Sequence, residues 1–259
     1  MNPLYIAATG MVAQQERVDV IANNLANMNT TGYQRRRASF NDLIYEDQKR
    51  PNSKHSRANG IVPGGVKAGL GVHTASFYRV VEQGNLAQTG NPFDVAIQGS
   101  GYMPVTLANG ETAYTRAGAF QLNQNGQIVT HDGLTVGAGI TIPPGAIEVT
   151  INNSGEVYAS FEGQPQPQNL GQINLVRFPN EGGLYAIGDS MFQETTASGA
   201  PLVGTPGTAG FGSILQGFLE SSNVNPVEEI ANMVKAMRAY ELSSKVIQTA
   251  DQMMSTKTG

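Results

Sequence analysis

Histidines His55, His73 and His131 are the side chains of this sequence best suited to moving a proton or holding a metal near neutral pH. Each stands alone, with no second histidine or carboxylate at metal-ligand spacing, so each reads as a structural or solvated residue. Cysteine is absent, which removes thiolate sites and disulfides and fits any redox compartment. Gly69-Leu70-Gly71, Gly99-Ser100-Gly101 and Gly137-Ala138-Gly139 begin like phosphate loops, but none continues into a third glycine or a Gly-Lys-Ser/Thr before a helix. They read as turns. No G-x-S-x-G pentapeptide presents a nucleophilic serine. Glu46-Asp47 and Glu228-Glu229 are adjacent in sequence, a spacing that suits solvation and helix N-terminal charge better than acid/base work. The sequence therefore predicts no enzyme, no cofactor and no metal site.

Attention passes to the elements that would otherwise position such groups. With 259 residues, 40% of them hydrophobic and 14% charged, the chain has room for a large core or two domains. Its 31 glycines and 13 prolines point to turn-rich β structure. A formal charge of −4 gives no overall attraction to nucleic acid or to an anionic membrane. No run approaches the roughly 18 apolar residues a membrane helix needs, and Gln14, Gln15, Glu16, Arg17 and Asp19 stand where a cleaved leader would be apolar. The expectation is a soluble chain exported, if at all, without such a leader.

The two ends carry the helical period. Asn225-Pro226 with Glu228 offers a cap, a proline at the first helical position and a carboxylate at the positive end. From there Met233, Tyr240, Ile247 and Met254 recur every seven residues, with Ile230 and Met237 beside them. At the other end Asn2-Pro3 repeats the start, and Leu4, Met11, Val18 and Leu25 recur every seven, with Ile21 adjoining. At about 1.5 Å per residue, helices over 3–27 and 226–254 span about 38 and 43 Å, so they can lie side by side. Ser244, Asp251, Gln14 and mid-helix Gly10 make the seam thin, the glycine alone costing about 1 kcal/mol relative to alanine. Such helices are expected to be weak alone and stable when neighbours pack on several sides.

After the first helix, Asn27 to Tyr33 is dense in short polar residues, and Gly32 suits a helix end. Phe40, Leu43, Ile44 and Tyr45 suit a helical turn or a strand. Residues 46–72 show no period and read as a long functional or disordered connection. Residues 35–57 hold seven basic and three acidic side chains without the aromatic series of a nucleic-acid surface, so they read as a charged surface for a neighbouring copy. From Thr74 to Arg177 the period becomes two, with Asn109-Gly110, Asn125-Gly126, Asp132-Gly133 and Ser154-Gly155 predicted as primed hairpin turns. Residues 180–188 and 195–211 read as loops. The fold class predicted is α+β: long N- and C-terminal helices forming a coiled-coil inner domain, with a central antiparallel all-β domain. The expected divisions are 1–45, 46–72, 73–211 and 212–259.

Three blocks, LYIAATGMVAQQERVDVIANNLANMNTTGYQRRRASFNDLIY, GNLAQTGNPFDVAIQGSGYMPVTLANGETAYTRAGAFQLNQNGQIV and FLESSNVNPVEEIANMVKAMRAYELSSKVIQTADQMM, together resemble the bacterial flagellar rod and hook proteins. The run Asn23-Asn24-Leu25-Ala26-Asn27 with Thr31-Gly32-Tyr33 is the most specific part. The resemblance implies a structural subunit of the distal rod that polymerises into a rigid hollow drive shaft and export channel. It further implies passage through the flagellar export apparatus and a place in the basal body across the periplasm. The implied partners are copies of itself in a helical tube, proximal rod proteins, hook protein and basal-body ring proteins, with no nucleic acid and no membrane insertion. A proximal rod or hook subunit, or an extracellular β-domain binding module, is the alternative. The expected assembly interface is Leu4, Met11, Val18, Ile21, Leu25, Ile230, Met233, Met237, Tyr240, Ile247 and Met254. Insertion contacts are expected at Arg50, Lys54, Arg57 and Lys67 within the stretch that resembles the rod-type insertion.

Overall fold

The computed structural model describes the backbone over residues 3–49, 54–55, 58–61 and 66–258, and the side chains over 4–45 and 69–255. Two compact units result: residues 1–25, 36–78 and 225–259 form one, and residues 26–35 and 79–224 the other.

The first unit holds both long helices, α1 (Pro3–Ala26) and α2 (Pro226–Thr258). Asn225 caps α2 as its sequence implied: its side-chain oxygen accepts from the Val227 N–H at 3.1 Å and the Glu228 N–H at 3.4 Å. Between the helices run β1 (Arg36–Asp42), β2 (Tyr45–Lys49), β3 (Lys54–His55), β4 (Ala58–Ile61), β5 (Val66–Gly69) and β6 (Val72–Arg79). They pair antiparallel as β1 with β6, β2 with β5 and β3 with β4. The stretch 46–72, read from sequence as a long functional or disordered connection, carries strands β2 to β5 over its described residues. A two-stranded ribbon has no single buried face, so its strands carry no apolar alternation for a sequence to display. Ribbon and α1 are tied by polar contacts: Thr9 Oγ1 accepts from the Val72 N–H at 3.4 Å, and the Thr74 hydroxyl donates to the Glu16 carboxylate.

The second unit is antiparallel β throughout its described strands. They are β7 (Leu86–Gln88), β8 (Val95–Gln98), β9 (Met103–Thr106), β10 (Thr112–Thr115), β11 (Phe120–Leu122), β12 (Ile128–Thr130), β13 (Thr135–Val136), β14 (Ala146–Ile151), β15 (Glu156–Phe161), β16 (Gln168–Gln172), β17 (Leu175–Arg177), β18 (Tyr185–Gly188), β19 (Met191–Gln193), β20 (Leu202–Gly204), β21 (Ser213–Gln216) and β22 (Phe218–Glu220). Seven form a sheet in the order β11-β12-β13-β9-β10-β19-β18, and β14, β15 and β16 form a second. Strands β18 and β20 lie in stretches expected to be loops; they are three or four residues long and mostly exposed, so no run of alternating apolar residues marks them.

Strand β9 buries one face, and the residue before it turns to a second core. Met103 and Val105 join one core with Ile97, Phe120, Ile128 and Val157, whereas Tyr102, just before the strand, joins another with Tyr114, Phe178 and Phe192. The aromatic rings of the second core meet edge to face, Tyr114 and Phe178 at 4.8 Å and 78°. Pro104 sits inside this central strand, where prolines are rare. Its carbonyl accepts from the Gly137 N–H, where β13 has already turned away, so its missing N–H breaks no strand ladder.

The four predicted turns form, but not as primed turns. Among the described residues only Asp189 and Ser190 are non-glycine residues with positive φ, so Asn109, Asn125, Asp132 and Ser154 cannot occupy the first position of such a turn. Instead the glycine alone is left-handed, at φ +85°, +76°, +82° and +79°, and its N–H donates to the carbonyl three residues back. This is the three-residue loop with a glycine bulge. The primed geometry appears where no glycine announced it, at Asp189-Ser190 between β18 and β19 (φ +49° and +55°).

Candidate assembly interface

Helices α1 and α2 run antiparallel. A Cβ built on Gly10 would lie 3.6 Å from Ser243 Oγ, and Asn24 Nδ2 donates to Glu229 at 3.3 Å, fourteen residues on along α1 and fourteen back along α2. The facing stripe of α2 is Glu229, Ala236, Ser243 and Ala250, seven apart, with Glu229, Ala236 and Ala250 buried. That of α1 includes Ala7, Gly10, Ala13, Ile21 and Asn24, all buried except the half-buried Gly10. Small residues are frequent along this seam, and Gly10, expected to thin it, lies where the two helices of one chain meet.

The residues expected to form the interface are distributed differently. Ile21 is buried, and Leu4, Met11, Val18, Leu25, Met233 and Ile247 are half-buried. Ile230, Met237, Tyr240 and Met254 are exposed. On α2, Val227, Ile230, Val234 and Met237 form a stripe with spacings of three, four and three residues, exposed by 77%, 50%, 44% and 50%. This face is separate from the one turned to α1. The insertion contacts expected at Arg50, Lys54, Arg57 and Lys67 lie outside the residues whose side chains are described.

At the end of the helix pair Asn24 works as a bracket. Its Oδ1 accepts from the Arg36 N–H at 2.8 Å and its Nδ2 donates to the Arg36 carbonyl at 2.9 Å, so one carboxamide pairs with a strand residue as a second strand would. The same Nδ2 reaches Glu229, and both side chains are almost fully buried. One residue thus fixes α1, α2 and β1 together. Nearby opens a cleft of about 420 Å³, lined by Arg17, Arg36 and Arg37, by the apolar Val20, Ile21 and Phe40, and by Glu228 and Glu229 from α2. Arg37 is paired with Glu228 at 3.3 Å. The Arg17 and Arg36 guanidiniums have no hydrogen bond or ion pair among the described residues.

The β unit is held by a buried ion pair. Arg116 Nε meets Glu220 at 2.9 Å with both side chains at most 5% exposed; the other guanidinium nitrogens donate to the Gly101 and Gly99 carbonyls, and Glu220 also accepts the Gly84 N–H. Every polar group of this pair has a local partner, so it reads as a structural clamp. Burial pushes the Tyr102 hydroxyl up to about 12, helped by the Glu181 carboxylate to which it donates at 2.9 Å. Tyr114 is raised too, first by burial and then by Glu194. Among the described residues no cluster of His, Asp and Glu could hold a metal, and His131 lies exposed beside Asp132 at 3.3 Å.

Sequence reasoning missed Asn24, Glu229, Arg116 and Glu220 as positioning residues. The spacing of Glu229, Ala236, Ser243 and Ala250 was a usable signal, hidden because the search followed large apolar residues. Nothing in the sequence linked Arg116 to Glu220.

Residues 4–34 match the family described as "Flagella basal body rod protein", 96–159 match "Flagellar hook protein FlgE/F/G D1 domain", and 215–258 match "Flagellar basal body rod FlgEFG protein C-terminal". The flagellar basal-body rod protein FlgG of Caulobacter vibrioides is 56% identical, the alignment covering 98% of this chain and 97% of that one. FlgG of Agrobacterium fabrum is 48% identical over the same shares, whereas FlgF of Caulobacter vibrioides is 32% identical over 95% and 92%. With both helical ends and the β unit between them covered by these matches, the chain belongs to the flagellar basal-body rod protein family, in its FlgG group.

Proposed function

We infer that this chain is a structural subunit of the flagellar basal-body rod, in its distal part, and that it acts by polymerising through its helical ends. The observation that carries the mode of assembly is the unpartnered stripe Val227, Ile230, Val234 and Met237. Burial of that stripe against another copy is favourable at roughly 25 cal/mol per Å² of apolar surface, and the partner helix of its own chain already occupies a different face. A head-to-tail contact that does not close on itself gives a helical tube. In this reading the helices of many copies form a coiled-coil inner layer around a channel, the β units lie outside, and the shaft passes torque from motor to hook. Its neighbours are other rod and hook components, and more specifically the proximal rod, the hook protein, the rings and the export apparatus. Among the described residues no helix is long and apolar enough to cross a membrane.

Ile230→Asp tests this reading. The side chain is half-exposed in the single chain, so its replacement is expected to change monomer stability by no more than about 0.5 kcal/mol. In the polymer the same carboxylate would be buried without a partner. Cells carrying the variant should lack rods and be non-motile; normal rods would show that this face is not used.

A further inference from the structure

Charge is divided unequally along this chain. Residues 26–35 and 79–224, the β unit, hold four arginines and no lysine against eleven carboxylates, a net −7. The remaining residues hold twelve cations against nine carboxylates, a net +3. The four β-unit arginines are all used internally: Arg35 on Glu82, Arg79 on Gln34, Arg116 on Glu220 and Arg177 on the Gly210 carbonyl. The unit is therefore left with carboxylates that nothing within it balances. Glu148 and Glu162 are exposed and have no partner among the described residues, and they lie at the same end of the β14–β15 hairpin, since Glu148 opposes Ser160 and Glu162 follows Phe161. Like charges so placed repel each other unless a cation intervenes.

The helical unit has the complement, a cleft in which the guanidiniums of Arg17 and Arg36 have no partner among the described residues, beside the apolar Val20, Ile21 and Phe40. We propose that this cleft receives the Glu148–Glu162 end of the β unit of a second copy. Glutamate methylenes and the exposed Ile147 cover the apolar lining residues Val20, Ile21 and Phe40 while the carboxylates meet the guanidiniums. Two charges meet two, and arginine is the cation best shaped to pair with a carboxylate. The cleft, at about 420 Å³, is roomier than a simple inorganic anion needs, and Val20, Ile21 and Phe40 in its lining would be left uncovered by one. Cleft and acidic end lie on different units of every copy, so the contact is heterologous and repeats from subunit to subunit. This proposal rests on the rod-subunit reading and adds to the apolar helix face a charged contact that fixes register.

The test is a charge swap in the full-length chain, expressed in cells lacking their own copy, with the readout being the amount recovered in purified basal bodies. Arg17→Glu with Arg36→Glu is expected to lower recovery by about tenfold or more, as is Glu148→Arg with Glu162→Arg, and all four together should return to within about threefold of wild type. Because Arg17 is half-buried, the swap of Arg36→Glu with Glu148→Arg repeats the cycle using exposed side chains only. Recovery within twofold of wild type for either double variant, or failure of both combined swaps to regain assembly, overturns the contact. A wild-type chain absent from basal bodies would refute the rod reading itself, whereas a wild-type chain present there with charge-insensitive assembly refutes only the contact.

Discussion

Replacing Asn24 by aspartate changes one nitrogen to oxygen, yet it should loosen the helical unit severely and in a pH-dependent way. In the wild type Nδ2 donates to the Arg36 carbonyl at 2.9 Å and to Glu229 at 3.3 Å, and the side chain is 1% exposed. Aspartate supplies no donor when ionised and sets a second carboxylate about where that nitrogen lay. At an effective dielectric constant of about 20, two charges at this distance repel by about 5 kcal/mol. Taking up a proton is the cheaper escape, costing about 4 kcal/mol at pH 7 for a carboxyl whose ordinary value is near 3.9. The folded value of the introduced aspartate is thereby raised above its unfolded one, so stability is retained at low pH and lost as pH rises toward that folded value. The destabilisation should be about 4 kcal/mol at pH 7 and only about 1.5 kcal/mol at pH 5. Asn24→Ala should cost about 2–3 kcal/mol, because the Arg36 groups lose their partners, with little dependence on pH. Amide exchange across α1 and α2 at the two pH values measures both. An aspartate variant indistinguishable from the alanine one, or unaffected by pH, would refute the bracket.

Three other outcomes follow from the β unit. Arg116→Met leaves Glu220 buried without its cation and should cost about 3–5 kcal/mol in urea unfolding, of which Glu220→Gln in the same chain restores a substantial part. Gly126→Ala should cost about 2–4 kcal/mol, since its Cβ would stand 2.3 Å from the Ile142 carbonyl, whereas Gly110→Ala, in the same kind of turn with open space around it, should cost only the left-handed strain of about 1–2 kcal/mol. The Tyr102 hydroxyl, held near 12 against an ordinary 10, should keep its proton in the folded chain while unfolded chains ionise, so stability falls between about pH 10 and pH 12; ultraviolet titration beside thermal unfolding would show it.

Much of the layout could be read directly from the residues. Asn225-Pro226 specified a helix start because a cap and a preset φ act within one turn. Period-two runs such as Glu156–Phe161 marked strands because one of their faces is buried, and the dipeptides ending in Gly110, Gly126, Gly133 and Gly155 marked turns because glycine tolerates positive φ. The turn type was misread, since both hairpin geometries can place glycine after asparagine and only the backbone path distinguishes them. Recognition of the family needed no structure, because the helical ends and the first part of the β unit carry specific residue runs over long stretches.

Seven-residue recurrence in the helices was legible from the amino-acid order, whereas its phase was decided in three dimensions. Large apolar residues named Met233 and Tyr240, but the face turned to α1 runs through Ala236 and Ser243. Periodicity is a property of one segment, and which face is covered depends on a partner far along the chain. The same holds for Asn24 with Arg36 and Glu229, for Arg116 with Glu220, and for the open guanidiniums of Arg17 and Arg36. Local order thus determined the elements and the family, and tertiary folding alone decided which faces were spent within the chain and which were left for another copy.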